Sequence, residues 1–214
     1  MPKGTTVRRP RTRAALLTAA LAAFAEHGFQ ATTIEQVCAR AGYTRGAFYS
    51  NFTSKDELFL ALFDQHSEQT VRRLDAAMDS IPTEDLTLDR LAERVCEIEP
   101  DERDWYLVTT EFTLHAIRNP ETARILADHD ARLREALARG ITGHLGRAGL
   151  TLTVGAEELA RLLVAIREGG LAQSYVEPEQ LPPGRLERLF LARILTAVTR
   201  PADRPRRGGP GRAG

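Results

Sequence analysis

Only two cysteines, Cys38 and Cys96, occur in 214 residues. They stand far apart and in no ligand-like spacing, so neither a disulfide framework nor a zinc knuckle is available, and both read as reduced thiols in a reducing compartment. Strand patterning is also missing: no segment alternates convincingly between apolar and polar residues, which excludes a β-sandwich or barrel and makes the class all-α. No apolar run approaches the length of a membrane span, so no membrane association is expected. There is no phosphate loop, no catalytic Ser or Cys motif and no internal repeat. These absences argue against an enzyme, and neither a cofactor nor a metal ion is expected. Glu111 and His115 stand four apart on one helix face, but two ligands do not make a metal site.

Net charge is absent too, with 29 basic and 29 acidic residues. That total conceals a division along the chain. Residues 1–62 carry 8 Lys/Arg against 4 Asp/Glu, residues 63–200 carry 17 against 24, and residues 201–214 carry 4 against 1. A basic front on an acidic body points to a front that meets a polyanion. An architectural nucleic-acid protein would need a basic chain throughout. Lysine itself is scarce, with only Lys3 and Lys55.

Almost every segment has helical periodicity. Residues 1–9 and 201–214, rich in Pro, Gly and Arg, are expected to be disordered. Residues 1–25 imitate a secretory signal, but Leu16, Leu17, Ala20, Leu21 and Phe24 form one helical stripe that leads directly into the next motif, so the signal reading is rejected. The spacing predicts helices over about 12–27, 33–41, 44–51, 55–80, 86–98, 102–118, 120–148, 156–175 and 185–199. Gly28 closes the first. Thr33 with Gln36 forms a capping box for the second, with Thr32 and Glu35 as the alternative. Thr44 caps the third, and Ser54 with Glu57 forms a further box. Asn119-Pro120 is a cap followed by Pro at the first helical position. The expected division is a domain over 10–70 and a second over 71–200.

Thr33–Ala41, Gly42-Tyr43 and Thr44–Asn51 have the layout of a helix-turn-helix, within residues 33–52. The second helix must be slim to enter a major groove about 12 Å wide, and Gly46 and Ala47 make it slim. Phe48 and Phe52, four apart, point to the core, leaving Thr44, Arg45 and Tyr49 outward. "FAEHGFQATTIEQVCARAG", "RGAFYSNF" and "SKDELF" resemble, in order and spacing, the DNA-binding domain of the tetracycline-repressor (TetR) family, over roughly residues 10–65. The remainder matches in helix count and length. The resemblance implies a transcriptional regulator, most simply a repressor, on double-stranded operator DNA, with DNA contacts at Thr33, Tyr43, Thr44, Arg45, Gly46, Tyr49 and Lys55. It places the protein in the bacterial cytoplasm.

Thr33 and Lys55 sit at helix starts, where N–H groups and the dipole favour phosphate. Tyr49 can offer its hydroxyl to a phosphate. Two roles stay open for Arg45, a bidentate bond to guanine or a phosphate contact. Tyr43 suits a thymine methyl or a phosphate. Arg8, Arg9, Arg11 and Arg13 read either as a minor-groove arm or as a solvated tail.

The body is expected to do two things. One helix-turn-helix buries too little for tight specific binding, so a homodimer is expected, through stripes on 156–175 and 185–199 that include Leu159, Leu163, Ile166, Phe190 and Ile194; the other reading of these stripes is that they face the chain's own core. The family also implies a cavity for a small-molecule effector. Trp105, Glu111, Phe112 and His115 are its expected lining, although core aromatics and solvated charges explain each residue equally well.

Overall fold

The computed structural model describes residues 5–96 and 102–202. Among these the chain forms nine α-helices: α1 (Thr5–His27), α2 (Ile34–Ala41), α3 (Arg45–Tyr49), α4 (Lys55–Asp79), α5 (Leu88–Val95), α6 (Glu102–Arg118), α7 (Pro120–Arg147), α8 (Ala156–Val176) and α9 (Arg185–Val198). The last turn expected for α5, at 97–98, and the expected tails at 1–4 and 203–214 lie outside the described residues.

Two expectations at the chain ends need correction. Helix α1 begins at Thr5 rather than near 12 and carries Pro10 inside it. Proline in its second turn forfeits one backbone hydrogen bond, which is why sequence rules read it as lying outside a helix. Near the C-terminus, Thr199–Pro201 pairs antiparallel with Leu150–Leu152 instead of starting a disordered tail. The three-residue strands tie the end of α7 to the end of α9, too short to show any alternation.

One core unites α1 to α4 with part of the body. Phe24, Phe29, Val37, Phe48, Phe52, Leu58 and Phe59 pack with Val108, Phe112 and Ala116 of α6 and Leu126 of α7. A second cluster joins the end of α4 to α5 and α7 through Met78, Leu91 and Leu145, and a third joins α5 to α8 and α9 through Cys96, Leu159, Leu191 and Leu195. The division read at 70/71 falls inside α4, whose 25 residues run about 37 Å without a break.

Helix α4 is laced to its neighbours by charge. All four of its aspartates are paired: Asp56 with His115 of α6 at 3.3 Å, Asp64 with His129, Asp75 with His144 at 3.2 Å and Asp79 with Arg147 at 2.6 Å, the last three on α7. The helix that follows the helix-turn-helix thereby meets the body along its whole length.

Candidate nucleic-acid interface

The helix-turn-helix is built by local chemistry. The Thr33 hydroxyl accepts from the Gln36 N–H, and the Gln36 side chain accepts from the Thr33 N–H at 2.7 Å, so the capping box forms as read. The alternative box does not form: the buried Thr32 hydroxyl donates to the Ala23 and Gly28 carbonyls at 3.1 and 2.7 Å. Gly42 takes the left-handed conformation, φ 72°, that turns the chain from α2 toward α3. The Thr44 hydroxyl accepts from the Ala47 N–H and starts α3. Ser54 caps α4, but the Glu57 carboxylate reaches one residue further back, to the Thr53 N–H and hydroxyl, both at 2.6 Å. Those bonds hold the Glu57 carboxyl below its usual range.

Helix α3 buries Phe48 and turns Arg45, Gly46 and Tyr49 outward. The Arg45 side chain is 60% exposed and rests against Glu35 of α2 at 2.8 Å and over the Tyr49 ring. Such an exposed pair is weakly held and readily exchanged for another anion. Gly46 informs by what it does not touch. A Cβ there would meet only the Thr44 hydroxyl, at an ordinary 3.7 Å. Glycine in a helix costs about 1 kcal/mol relative to alanine, and no neighbour among the described residues requires it there.

Lys55 departs from its expected role. Its ammonium donates to the carbonyls of Phe29, Gln30 and Thr32, at 2.6, 3.1 and 2.9 Å, and lies 4.6 Å above the Phe29 ring. All three protons are directed at the α1–α2 loop, whose carbonyls lack helical partners, so the side chain staples α4 to that loop. Burial lowers its pKa, with neighbouring Asp56 acting the other way. Lys55→Met is expected to cost about 1–2 kcal/mol in urea unfolding, from carbonyls left unpaired. The salt dependence of DNA binding should stay as in wild type; a slope shallower by about one charge would restore the phosphate role.

The arginines of α1 divide. The Arg9 guanidinium donates to the Ser50 carbonyl at 3.2 Å and Arg13 sits 5.0 Å over the Phe52 ring, so both brace the end of α3. They belong to a helix, not to an extended arm. Arg11 is exposed, and the Arg8 side chain lies outside the described set.

The four residues read as cavity lining pack against the α1–α4 half instead. Phe112 stacks on Phe59, centroids 3.7 Å apart, and meets Phe29 edge-on at 4.9 Å. The Glu111 carboxylate accepts from the Phe29 N–H at 2.6 Å and lies where a Cβ on Gly28 would be. His115 contacts Gln30, Asp56 and Asn119. Trp105 stacks on His66 at 3.8 Å and beside Phe59. Their face of α6 caps the helix-turn-helix core, which a sequence stripe cannot distinguish from a pocket wall.

A cavity does exist, elsewhere. A slot of about 80 Å³ runs between α4, α5, α7, α8 and α9, walled by Leu74, Met78, Leu137, Ile141, Leu163 and Leu191 among others. Leu163 therefore faces inward, and Leu159, 2% exposed, belongs to the third core cluster. Neither can serve the subunit interface expected of them, because their side of α8 packs on the chain itself. Ile166, Phe190 and Ile194 line a separate open groove between α8 and α9, with Gly169, Gly170 and Leu186. Phe190 there is 48% exposed.

Two family models match this arrangement in order: "Bacterial regulatory proteins, tetR family" over residues 16–62, and "BetI-type transcriptional repressor, C-terminal" over 85–199, which alone is more than half of the chain. The chain belongs to the TetR family. It is similar to the HTH-type transcriptional repressor AcnR of Corynebacterium efficiens, 26% identical over 162 residues that cover 76% of this chain and 81% of the relative. A TetR-family regulator from Rhodococcus sp. shares the fold at TM-score 0.71, with 18% identity and coverage of 88% and 98% of the two chains. SmeT, the repressor of the Stenotrophomonas maltophilia efflux pump SmeDEF, is 28% identical at TM-score 0.58, over 88% and 90%.

As a TetR-family member the chain is a DNA-binding transcriptional regulator, with α2 and α3 as its helix-turn-helix. No described helix is long and apolar enough to cross a membrane. What reading the sequence missed are the bracing roles of Arg9, Arg13, Lys55 and Glu111, and the slot. Lys55 carried one usable signal: a lone lysine in an arginine-rich front. The slot carried none, since Leu74 and Met78 on α4 and Leu137 and Ile141 on α7 look like any core stripe.

Proposed function

We propose that this chain is a repressor that binds a two-fold operator as a homodimer and releases it when a small molecule occupies the body. The observation that carries the reading is the outward face of α3, where Arg45 and Tyr49 flank a glycine that no neighbour among the described residues requires. On this reading Arg45 leaves Glu35 to meet a base edge or phosphate. The Tyr49 hydroxyl and those of Thr33 and Thr44 take phosphates while the two threonines keep their caps, and Tyr43 borders the same face. The α8–α9 groove supports the dimer, in which two copies of α3 about 34 Å apart would enter successive major grooves. The relatives named as repressors support repression over activation. The protein would act where the chromosome lies, in the bacterial cytoplasm.

Gel-shift titration on the DNA flanking its own gene tests this. Arg45→Ala and Tyr49→Ala are each expected to weaken binding on the order of ten- to a hundredfold. Arg45→Ala should also relax preference at one operator position if it reads a base. Unchanged affinity in both variants would reject the assignment.

A further inference from the structure

The slot in the body has a chemical character of its own. Of its fifteen lining residues, Asp75, His144 and Gly140 are the exceptions to an otherwise aliphatic or Met wall, and none is a phenylalanine, tyrosine or tryptophan. A flat aromatic ligand would find no ring to stack on, and a quaternary ammonium no cage. The slot's 80 Å³ is far below the several hundred that a drug-sized ligand needs. It is, however, several times what one water requires, and an apolar wall would keep water out. Its size and aliphatic wall suit one slim alkyl chain.

Polarity enters at one place. His144 and Asp75 meet at 3.2 Å across the α4–α7 seam, and the Asp75 carboxylate leans over Gly140, with 3.1 Å to where a Cβ would sit. A side chain at 140 would crowd that oxygen, so the glycine keeps Asp75 at the wall of the slot. The nearby charges are Asp75, Asp79, His144 and Arg147, with Arg147 taken up by Asp79 at 2.6 Å. Among these described groups the two carboxylates leave no positive charge in excess. The carboxylate therefore accepts a hydrogen bond, and a second carboxylate would meet repulsion.

We infer that the slot binds a straight-chain aliphatic molecule with a hydrogen-bond-donating head, a hydroxyl or a protonated amine, held by Asp75. The inference rests on the proposed effector response and names the ligand chemistry for it. Val71, Leu74, Asp75 and Met78 all belong to α4, the helix whose start holds the DNA-binding core, so an occupant bears directly on that helix. It shifts the operator equilibrium only by preferring one placement of α4 over another.

The test measures binding on the full chain without DNA. Calorimetry with straight-chain alcohols and primary amines from butyl to octyl should give one molecule per chain, tightening with chain length until the slot is full. The matching carboxylates should bind on the order of tenfold more weakly, and benzyl alcohol and tetramethylammonium not measurably. Ala136→Leu places extra carbon in the slot and should remove binding, with the circular dichroism spectrum unchanged. Gly140→Ala suits a helix and crowds only the Asp75 head; it should reduce the preference for alcohols and amines over carboxylates while chain-length dependence remains. Carboxylates that bind as well as alcohols, binding unchanged in Ala136→Leu, or no binding by any probe would each overturn the inference. Operator titration is a separate measurement: an inert slot beside intact operator binding removes this inference alone, and lost operator binding beside a working slot removes the function.

Discussion

Phe112→Ala is expected to lower the unfolding free energy by about 3–5 kcal/mol and to do so for the whole chain at once. The ring is fully buried and stacked on Phe59 of α4, with Phe29 of the α1–α2 loop against its edge. Removing it opens a cavity where α6 meets the DNA-binding half. Around it, Glu111 holds the Phe29 N–H and Lys55 covers the Phe29 ring, so the loop carries contacts from α4 and α6 together. Two independent domains would unfold separately, and the variant would shift only one transition. The first cluster, which spans the proposed boundary, and helix α4, which links it to the second, predict a single transition in urea, seen alike by circular dichroism and by the fluorescence of Trp105, the only tryptophan, which stacks between His66 and Phe59. Both probes should move together to lower urea, at fixed protein concentration because a dimer's stability depends on it. A shift in one probe alone would restore the division near residue 70.

The helix-turn-helix was legible because its determinants are local. Thr33 and Gln36, Gly42, and Thr44 satisfy their backbone groups within a few residues, so the sequence window contains the whole interaction. The rest depended on partners distant in sequence. The stripe through Trp105 and Phe112 was seen, but whether it faces a ligand or the α1–α4 core depends on α6 packing against Phe29, 83 residues upstream of Phe112. Helix α8 carries apolar residues on two sides: Leu159 and Leu163 inward, Ile166 toward the groove. Helical spacing identifies a stripe and cannot say whether its cover comes from the same chain. The bracing role of Lys55 escaped the sequence for a related reason. A helix start favours phosphate, but three loop carbonyls 23 to 26 residues away in sequence reach the ammonium first.

That distinction decides which variant separates the subunits. Leu163→Glu would place a charge among Leu191 and Leu195 and unfold the chain, which says nothing about assembly. Phe190→Glu is the informative change. Phe190 is half exposed already, so the isolated chain loses little, and Arg193, one turn on and now over the Phe190 ring, can accompany the new carboxylate. In a dimer closed over the α8–α9 groove, each subunit would bury that charge away from water. Even with Arg193 beside it, a carboxylate taken out of water there costs several kcal/mol, about 3–5, so dissociation should strengthen by a factor on the order of a thousand. Sedimentation at micromolar concentration should show dimer for wild type and monomer for Phe190→Glu, with the helical spectrum retained. Operator affinity should fall at least about a hundredfold, because one reading head supplies only part of the contact area that specific binding needs. Binding to a half-site should change little, since α3 is untouched. A folded Phe190→Glu that remains dimeric would move the interface off this groove, and a wild type that is monomeric at micromolar concentration would remove the two-headed reading of the operator.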